Sequence, residues 1–227
     1  METIFKKTIV WHLLILALPF IYLGIAWNNL PDPVPMHYSN GAVDRFGSRT
    51  EFLIAIAFLF VIGLGLSWLF RNISRFDPKN KLKDSGSLVK TLALVLVLFL
   101  SSLSLYIIYT TANYSPQANI ANHEKMGIAL VSILFIVLGN LMNNIKPNYF
   151  FGIRTPWALE NEDNWRKTHH LGAKIWFFGG ILMLITSLVF PVSWSENIIF
   201  IIIIPMALIP IIYSYLIFKR GKKNISQ

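Results

Sequence analysis

The chain has no cysteine, which removes disulfides, zinc-thiolate sites, iron–sulfur clusters and thiol nucleophiles at once and leaves the redox compartment open. It is also poor in charge: 14% of its 227 residues are Asp, Glu, Lys or Arg against 55% hydrophobic, too apolar for an ordinary water-soluble domain. The familiar catalytic spacings are missing as well. His123-Glu124 is not followed by a second histidine at H-E-x-x-H spacing, and no phosphate loop, Ser-His-Asp set or paired-carboxylate motif is evident. No internal repeat is found. No Asp, Glu, Lys or Arg lies inside the core of any long apolar run, and His12 and Glu196 read as run-end residues within reach of water or headgroups. A charged group at the bilayer centre costs at least about 2.5–3.5 kcal/mol on insertion scales, and transporters and proton relays accept that cost to build a pathway. Its avoidance here argues against ion-coupled transport, although Pro205 and Pro210 in the last run could let a helix unwind and bind ions through carbonyls.

What the chain does have is apolar length. Runs at about 9–28, 52–70, 91–112, 126–143, 173–190 and 197–218 each approach the roughly 20 helical residues that cross a bilayer core. The fold class expected is therefore an all-α polytopic membrane protein, a bundle of six transmembrane helices. Lys6 and Lys7 precede the first run, and Gly24 and Ala26 imitate a cleavage site. That run exceeds the usual signal core of about 7–15 residues, so it reads as an uncleaved span. The net charge of +9 is strongly one-sided. All but three of the 20 basic residues fall at the N-terminus, in the second and fourth connections, or in the tail; the exceptions are Arg45, Arg49 and Lys125. Basic residues are retained in the cytoplasm during insertion, so both termini are expected inside, with the first, third and fifth connections outside. The same bias points to anionic lipid rather than direct nucleic-acid binding. Three regions are expected: 1–70 with the first two helices and an external motif at about 30–50; 71–125 with a basic cytoplasmic loop, the third helix and an external loop; and 126–227 with helices four to six and a cytoplasmic motif at 147–174.

Two connections are too ordered in composition to be plain linkers. Outside, Pro31, Pro33 and Pro35 enforce extended backbone, and Asn40-Gly41 supplies a hairpin turn. Val34, Met36 and Tyr38 can then face Val43 and Phe46 in a small ribbon that needs packing from the bundle. Ser48 and Glu51 form a capping box that opens the second span. Inside, Thr155-Pro156 reads as an N-cap with proline at the first helical position, and Asn161 with Glu162 and Asp163 as a second helix start. On the helix that follows, Trp165, His169, Gly172, Trp176 and Gly179 recur at spacings of four and three, which places them on one face. Pro19 is expected to kink the first span, and Ser101, Ser102 and Ser104 to serve close helix packing. A metal site built from His169 and His170 with Glu160, Glu162 or Asp163 is disfavoured, because neighbouring histidines diverge on a helix and no ligand spacing recurs. No catalytic residue, metal or cofactor is expected.

The segment PNYFFGIRTPWALENEDNWRKTHHLGAK, residues 147–174, resembles the N-x-x-x-G-I-R-T-P-W and W-x-x-T-H elements of the SdpI family of bacterial membrane proteins. LPDPVPMHYSNGAVDRFGSR, residues 30–49, resembles the short domain of unknown function often found at the N-terminus of such proteins. With the six-span layout, the likeness covers nearly the whole chain. The resemblance implies an immunity and signalling role: protection against a secreted peptide toxin outside and retention of a transcriptional repressor at the membrane inside. The positions it carries over are Asn148, Gly152, Ile153, Arg154, Thr155, Pro156, Trp157, Trp165, Thr168 and His169 within, and Pro35, His37, Asn40, Gly41, Asp44, Arg45 and Gly47 without. Two other classes compete with a non-enzymatic immunity protein. A small-molecule transporter or exporter requires a midplane cavity, and a membrane enzyme requires converging polar groups near His169.

Overall fold

A computed structural model describes residues 2–39, 42–76, 86–115 and 121–225. Among the described residues, six helices are long and apolar enough to cross a membrane: α1 (Glu2–Ala26), α2 (Arg49–Asn72), α3 (Gly86–Ala112), α4 (Ala121–Met142), α6 (Glu162–Val189) and α7 (Val192–Ile225), with a short α5 (Pro156–Glu160) before α6. A two-stranded antiparallel ribbon, β1 (Val34–Ser39) with β2 (Ala42–Gly47), joins α1 to α2. The expected six-helix membrane bundle with a small extended segment is the architecture observed.

The distribution of polarity is that of a lipid-solvated protein. Trp11, Ile21, Phe58, Trp68, Phe178, Leu188 and Phe200 are among many large apolar side chains pointing outward, whereas Ser101, Ser104, Ser132, Thr168, Thr186 and Ser214 are buried. Water would penalise such an outer surface, while hydrocarbon requires the polar groups inside to find partners. They do so locally. Ser67, Ser104, Ser132 and Thr186 each donate to the carbonyl four residues earlier in their own helix.

α1, α2 and α3 pack together, α6 packs between α4 and α7, and the two groups meet along α3 and α4. The tightest crossing is α4 on α6. A Cβ at Gly139 would run into the backbone of Trp176 and Phe177, and one at Gly180 into the backbone of Ser132 and Ile136. Each helix thus offers a glycine to the other's main chain, the arrangement by which small residues let membrane helices approach.

The proline in α1 has a specific partner. Pro19 has no N–H to give the Ile15 carbonyl, and Ser101 Oγ on α3 donates to that oxygen at 2.7 Å. His12 departs from its reading as a run-end residue open to water. It is only 5% exposed, and its Nδ1 lies 3.2 Å from Ser67 Oγ on α2. Because Ser67 gives its own proton to the Gly63 carbonyl, the imidazole is the donor, and it ties α1 to α2. The α1–α2 packing decided this, and no local spacing reported it.

The ribbon is anchored as its marginal size demands. Val34 and Leu30 enter a core cluster with Leu23, Ala26, Phe52, Ile56 and Ile108. Register pairs Pro35 with Phe46 and Tyr38 with Val43, with irregularities on either side of His37. The expected capping box is formed: Ser48 Oγ accepts from Glu51 N at 3.1 Å, and Glu51 Oε2 accepts from Ser48 N at 3.0 Å. The turn residues Asn40 and Gly41 lie outside the described residues.

Interhelical hydrogen bonds in membranes are worth about 0.6 kcal/mol on average and up to about 1.7, so Ser101→Ala is expected to lower stability by about that range. With Pro19→Ala, the helix supplies its own N–H to Ile15, and the cost of Ser101→Ala should fall by at least about half. Reversible unfolding of the four proteins in mixed micelles measures this, and an equal cost in both backgrounds would contradict the assignment.

Candidate functional site

Residues 143–155 leave α4 without regular secondary structure, yet many of their polar groups are hydrogen-bonded within the protein. Asn148 is 1% exposed. Its Oδ1 accepts from Phe150 N at 2.8 Å and Phe151 N at 2.9 Å, and its Nδ2 donates to the carbonyls of Lys146 at 2.9 Å and Phe151 at 3.1 Å. One buried amide therefore replaces the hydrogen bonds that a helix would have supplied. Gly152 follows with φ +103°, a region that side-chain-bearing residues rarely adopt. A Cβ there would also strike His169 Nε2.

His169 and Trp165 form the floor beneath this loop. The rings stack with centroids 4.0 Å apart, and the indole Nε1–H donates to the Ile145 carbonyl at 2.8 Å. Ile153 N–H donates to His169 Nε2 at 3.0 Å, so the opposite nitrogen, Nδ1, carries the proton and donates to the Trp165 carbonyl at 2.9 Å. The ring is neutral in this arrangement, and both nitrogens are occupied. Neither lone-pair chemistry nor metal ligation is available to His169 without dismantling the loop.

A second network lies on the α7 side. Thr155 caps α5 by accepting from Ala158 N at 3.3 Å. Ser214 Oγ gives its proton to Asn164 Oδ1 at 2.8 Å, so Thr155 Oγ1 must donate to Ser214 Oγ, 2.9 Å away. Thr168 Oγ1 also donates to Asn164 Oδ1 at 3.0 Å, and Asn164 Nδ2 donates to the Ser214 carbonyl at 2.9 Å. Four buried polar side chains are thereby satisfied by one another. Trp157, on α5 behind Pro156, stacks on Phe218 and meets Tyr215 edge-on, pinning α5 to α7. Deeper in the bundle, Trp176 Nε1 donates to the Met206 carbonyl at 3.0 Å. Pro210 leaves that oxygen without a helical partner.

The structure thus brings together Asn148, Gly152, Ile153, Thr155, Trp165, Thr168 and His169, while Arg154 points outward and donates to the Tyr149 carbonyl at 2.6 Å. Gly172 lies against Ile153 and Met142, and Gly179 against Met206, so the expected single face of α6 is the one packed between α4 and α7. Beside the loop, a groove of about 580 Å³ exposes Asn143, Lys146, Glu162 and Arg166. Sequence reasoning missed Asn164 and Ser214. Asn164 carried a signal, since an amide inside an apolar face needs a partner, but Ser214 carried none.

At the opposite end of the bundle, His37 Nδ1 and Asp44 Oδ1 are 2.7 Å apart across the ribbon. Arg45 lies 3.8 Å from Glu51, and the Glu51 carboxylate and Met36 occupy the space a Cβ at Gly47 would need. Arg49, which the resemblance did not single out, donates to the Leu30 carbonyl at 2.6 Å and closes the base of the ribbon. Pro35 is buried beside Val34.

These features define a multi-pass membrane protein with one structured motif at each end of a six-helix bundle. Residues 144–214 match the SdpI/YfhL protein family, and residues 14–61 match DUF1648, a domain of unknown function. The chain is 27% identical over 184 residues to the immunity protein SdpI of Bacillus subtilis (strain 168), covering 80% of this chain and 82% of that one. No solved structure matches it.

Gly152→Ala is expected to destabilise the loop by about 1–3 kcal/mol from backbone strain alone. In detergent-solubilised protein, chymotryptic cleavage after Tyr149, Phe150 or Phe151 should accelerate accordingly. Adding His169→Ala removes the clash but not the φ requirement, so the double variant should remain at least as labile; wild-type resistance in either would contradict this reading.

Proposed function

We propose that this protein is a membrane immunity protein that protects its host from a secreted membrane-active peptide and relays the peptide's presence to a cytoplasmic transcriptional repressor. The observation that carries the reading is the likeness to an immunity protein over four-fifths of the chain. In this reading, the ribbon end faces outward and meets the peptide together with the adjoining helices. The loop over Trp165 and His169 faces the cytoplasm, as do both termini, on the strength of the basic residues gathered there. The relay requires two bundle conformations for which the peptide has different affinities.

The exposed groups around the loop suit a protein partner: Arg154, with Arg166 and Lys167 on the first turns of α6, where both pair with Asp163 at 2.8 and 2.6 Å. The buried groups beneath fix the shape of that surface. Arg154 and Trp165 therefore have separable roles, one in contact and one in positioning.

Expression in peptide-sensitive cells is expected to raise survival at matched membrane levels; unchanged killing across candidate peptides would overturn the immunity reading. Arg154→Gln combined with Trp165→Phe, which keeps the ring but loses its bond to Ile145, should weaken the transcriptional response by about tenfold, equivalent to about 1.4 kcal/mol of lost coupling. Insertion should be retained, and a double variant with full response would remove this segment from the mechanism. A reporter fused at residue 160 should report the cytoplasm.

A further inference from the structure

Between the 143–155 loop and α7 lies a groove of about 500 Å³, within the roughly 300–1,000 Å³ typical of small-molecule sites. Its roof is residues 152–155 with Leu159 of α5, and its floor is Trp176 of α6 with Met206, Ala207, Pro210 and Ile211 of α7. Thr155 at the roof meets Ser214, and the floor residues precede Ser214 along α7. At 1.5 Å per residue, the floor therefore reaches up to about 12 Å further into the bilayer than the roof. The groove stays open because the Thr155–Ser214 bond and the stacking of Trp157 on Phe218 hold the loop and α5 in place, while Ala207 is too short to fill the space below them.

Polar and apolar character are separated along it. Met206 and Pro210 are buried, whereas Ala207 and Ile211, four residues apart on a helix of spanning length, are exposed, so this edge of the floor opens to acyl chains. Among the described residues that line the groove, Arg154 alone is charged, and no carboxylate joins it. One of its N–H groups goes to the neutral Tyr149 carbonyl. A guanidinium has five such groups, and Arg154 forms no ion pair among the described residues. Arg166 and Lys167 differ in this respect, since both pair with Asp163. The Thr155 hydroxyl is committed to Ser214 and Ala158. An exposed, unpaired cation above an apolar trough that opens to lipid matches an acidic phospholipid, which basic pockets between membrane helices typically take.

We infer that this groove binds one acidic phospholipid of the surrounding membrane. Its phosphate accepts a forked pair of hydrogen bonds from Arg154, and one acyl chain lies over Ala207 and Ile211 along the Trp176 ring, with the rest of the lipid in the bilayer. A zwitterionic headgroup brings a cation of its own, for which the lining holds no carboxylate. The chemistry of the site does not depend on the immunity reading; the leaflet that supplies the lipid follows from the topology proposed there. Bound lipid ties the loop to α7 on the side where Arg154 otherwise holds to the loop's own backbone.

The test titrates the full chain in a neutral detergent with dioleoyl phosphatidylglycerol and, separately, with dioleoyl phosphatidylcholine, and counts the first lipid bound by native mass spectrometry. The acidic lipid is expected to bind about tenfold tighter, a factor equivalent to about 1.4 kcal/mol. Arg154→Gln should bring its affinity to the phosphatidylcholine value. Arg154→Lys, which keeps the charge and loses the planar fork, should stay within about threefold of wild type. Ala207→Phe leaves the charge untouched and fills the floor, so it should weaken phosphatidylglycerol by about fivefold or more. Lys219→Gln with Arg220→Gln, exposed on the tail, should leave the first lipid unchanged.

Equal affinity for the two lipids, wild-type affinity in Ala207→Phe, or loss through the tail pair but not through Arg154→Gln would each overturn the proposal. Displacement by glycerol phosphate at the lipid's own concentration would give the site to a free phosphate instead. A lipid-independent dimer that Ala207→Phe dissociates would give the groove to a second copy of the chain. Should Arg154→Gln open the loop to chymotrypsin, Arg154→Lys and Ala207→Phe carry the test. Equal lipid affinities alongside raised cell survival sink this site and leave immunity standing. Selective binding with no gain in survival keeps the lipid site and sinks immunity.

Discussion

In hydrocarbon, a backbone carbonyl that loses its helical partner cannot turn to water, and this constraint governs the architecture more than any apolar contact does. Pro19 and Pro210 each orphan one oxygen, and in each case a neighbouring helix answers with a donor: Ser101 for Ile15, Trp176 for Met206. These two bonds join α1 to α3 and α6 to α7, one in each helix group. The prolines therefore do not merely bend their helices. They create acceptors at fixed heights, and the serine and the indole read those heights, which gives specificity to packing that dispersion alone leaves free to slide.

The same constraint explains why the 143–155 loop is so heavily hydrogen-bonded although it has no regular structure. A loop at the membrane boundary has to satisfy its own donors and acceptors or drown them in water, and Asn148 takes the first course with four hydrogen bonds from a single side chain. His169 then fixes the next turn by accepting from Ile153, at a place where Gly152 alone allows the backbone to come so close. A histidine in a polar, aromatic segment invites a catalytic reading. Its two committed nitrogens make it instead a peg around which the loop is folded.

Much of this was legible before any coordinates because local rules were obeyed: six apolar runs of spanning length became six helices, the S-x-x-E box closed, and Thr155-Pro156 and Asn161 started helices where their chemistry said they would. What could not be read were pairings between residues distant in sequence. Ser214 sits between two tyrosines in an ordinary apolar helix and gives no sign that it will complete a network with Asn164, fifty residues away. His12 looked like a boundary residue because its run begins nearby, and only the approach of α2 turned it inward. Periodicity reports faces, not partners. The face of α6 was correctly drawn, but its division between α4 and α7 was not.

α4 is an element that reaches both ends of the bundle. Its first turns supply Glu124 and Gly127 to a cavity under the ribbon, and the chain leaving its other end supplies the Ile145 carbonyl that holds Trp165. Along the way, Gly139 and Gly180 lock α4 to the backbone of α6. Sliding these two helices past each other would drive glycine Cα atoms across opposing side chains, so α4 and α6 move together or not at all. The seam between α3 and α4 has no such interlock, since Gly127 leaves only an ordinary contact to the Tyr106 ring. The relay proposed above would therefore be cheapest as a rigid displacement of α4, α6 and α7 against α1, α2 and α3. Such a displacement would preserve the buried hydrogen bonds described within each group and would alter the seam and the packing of Phe150 and Phe151 against Phe70, Ile73 and Val89.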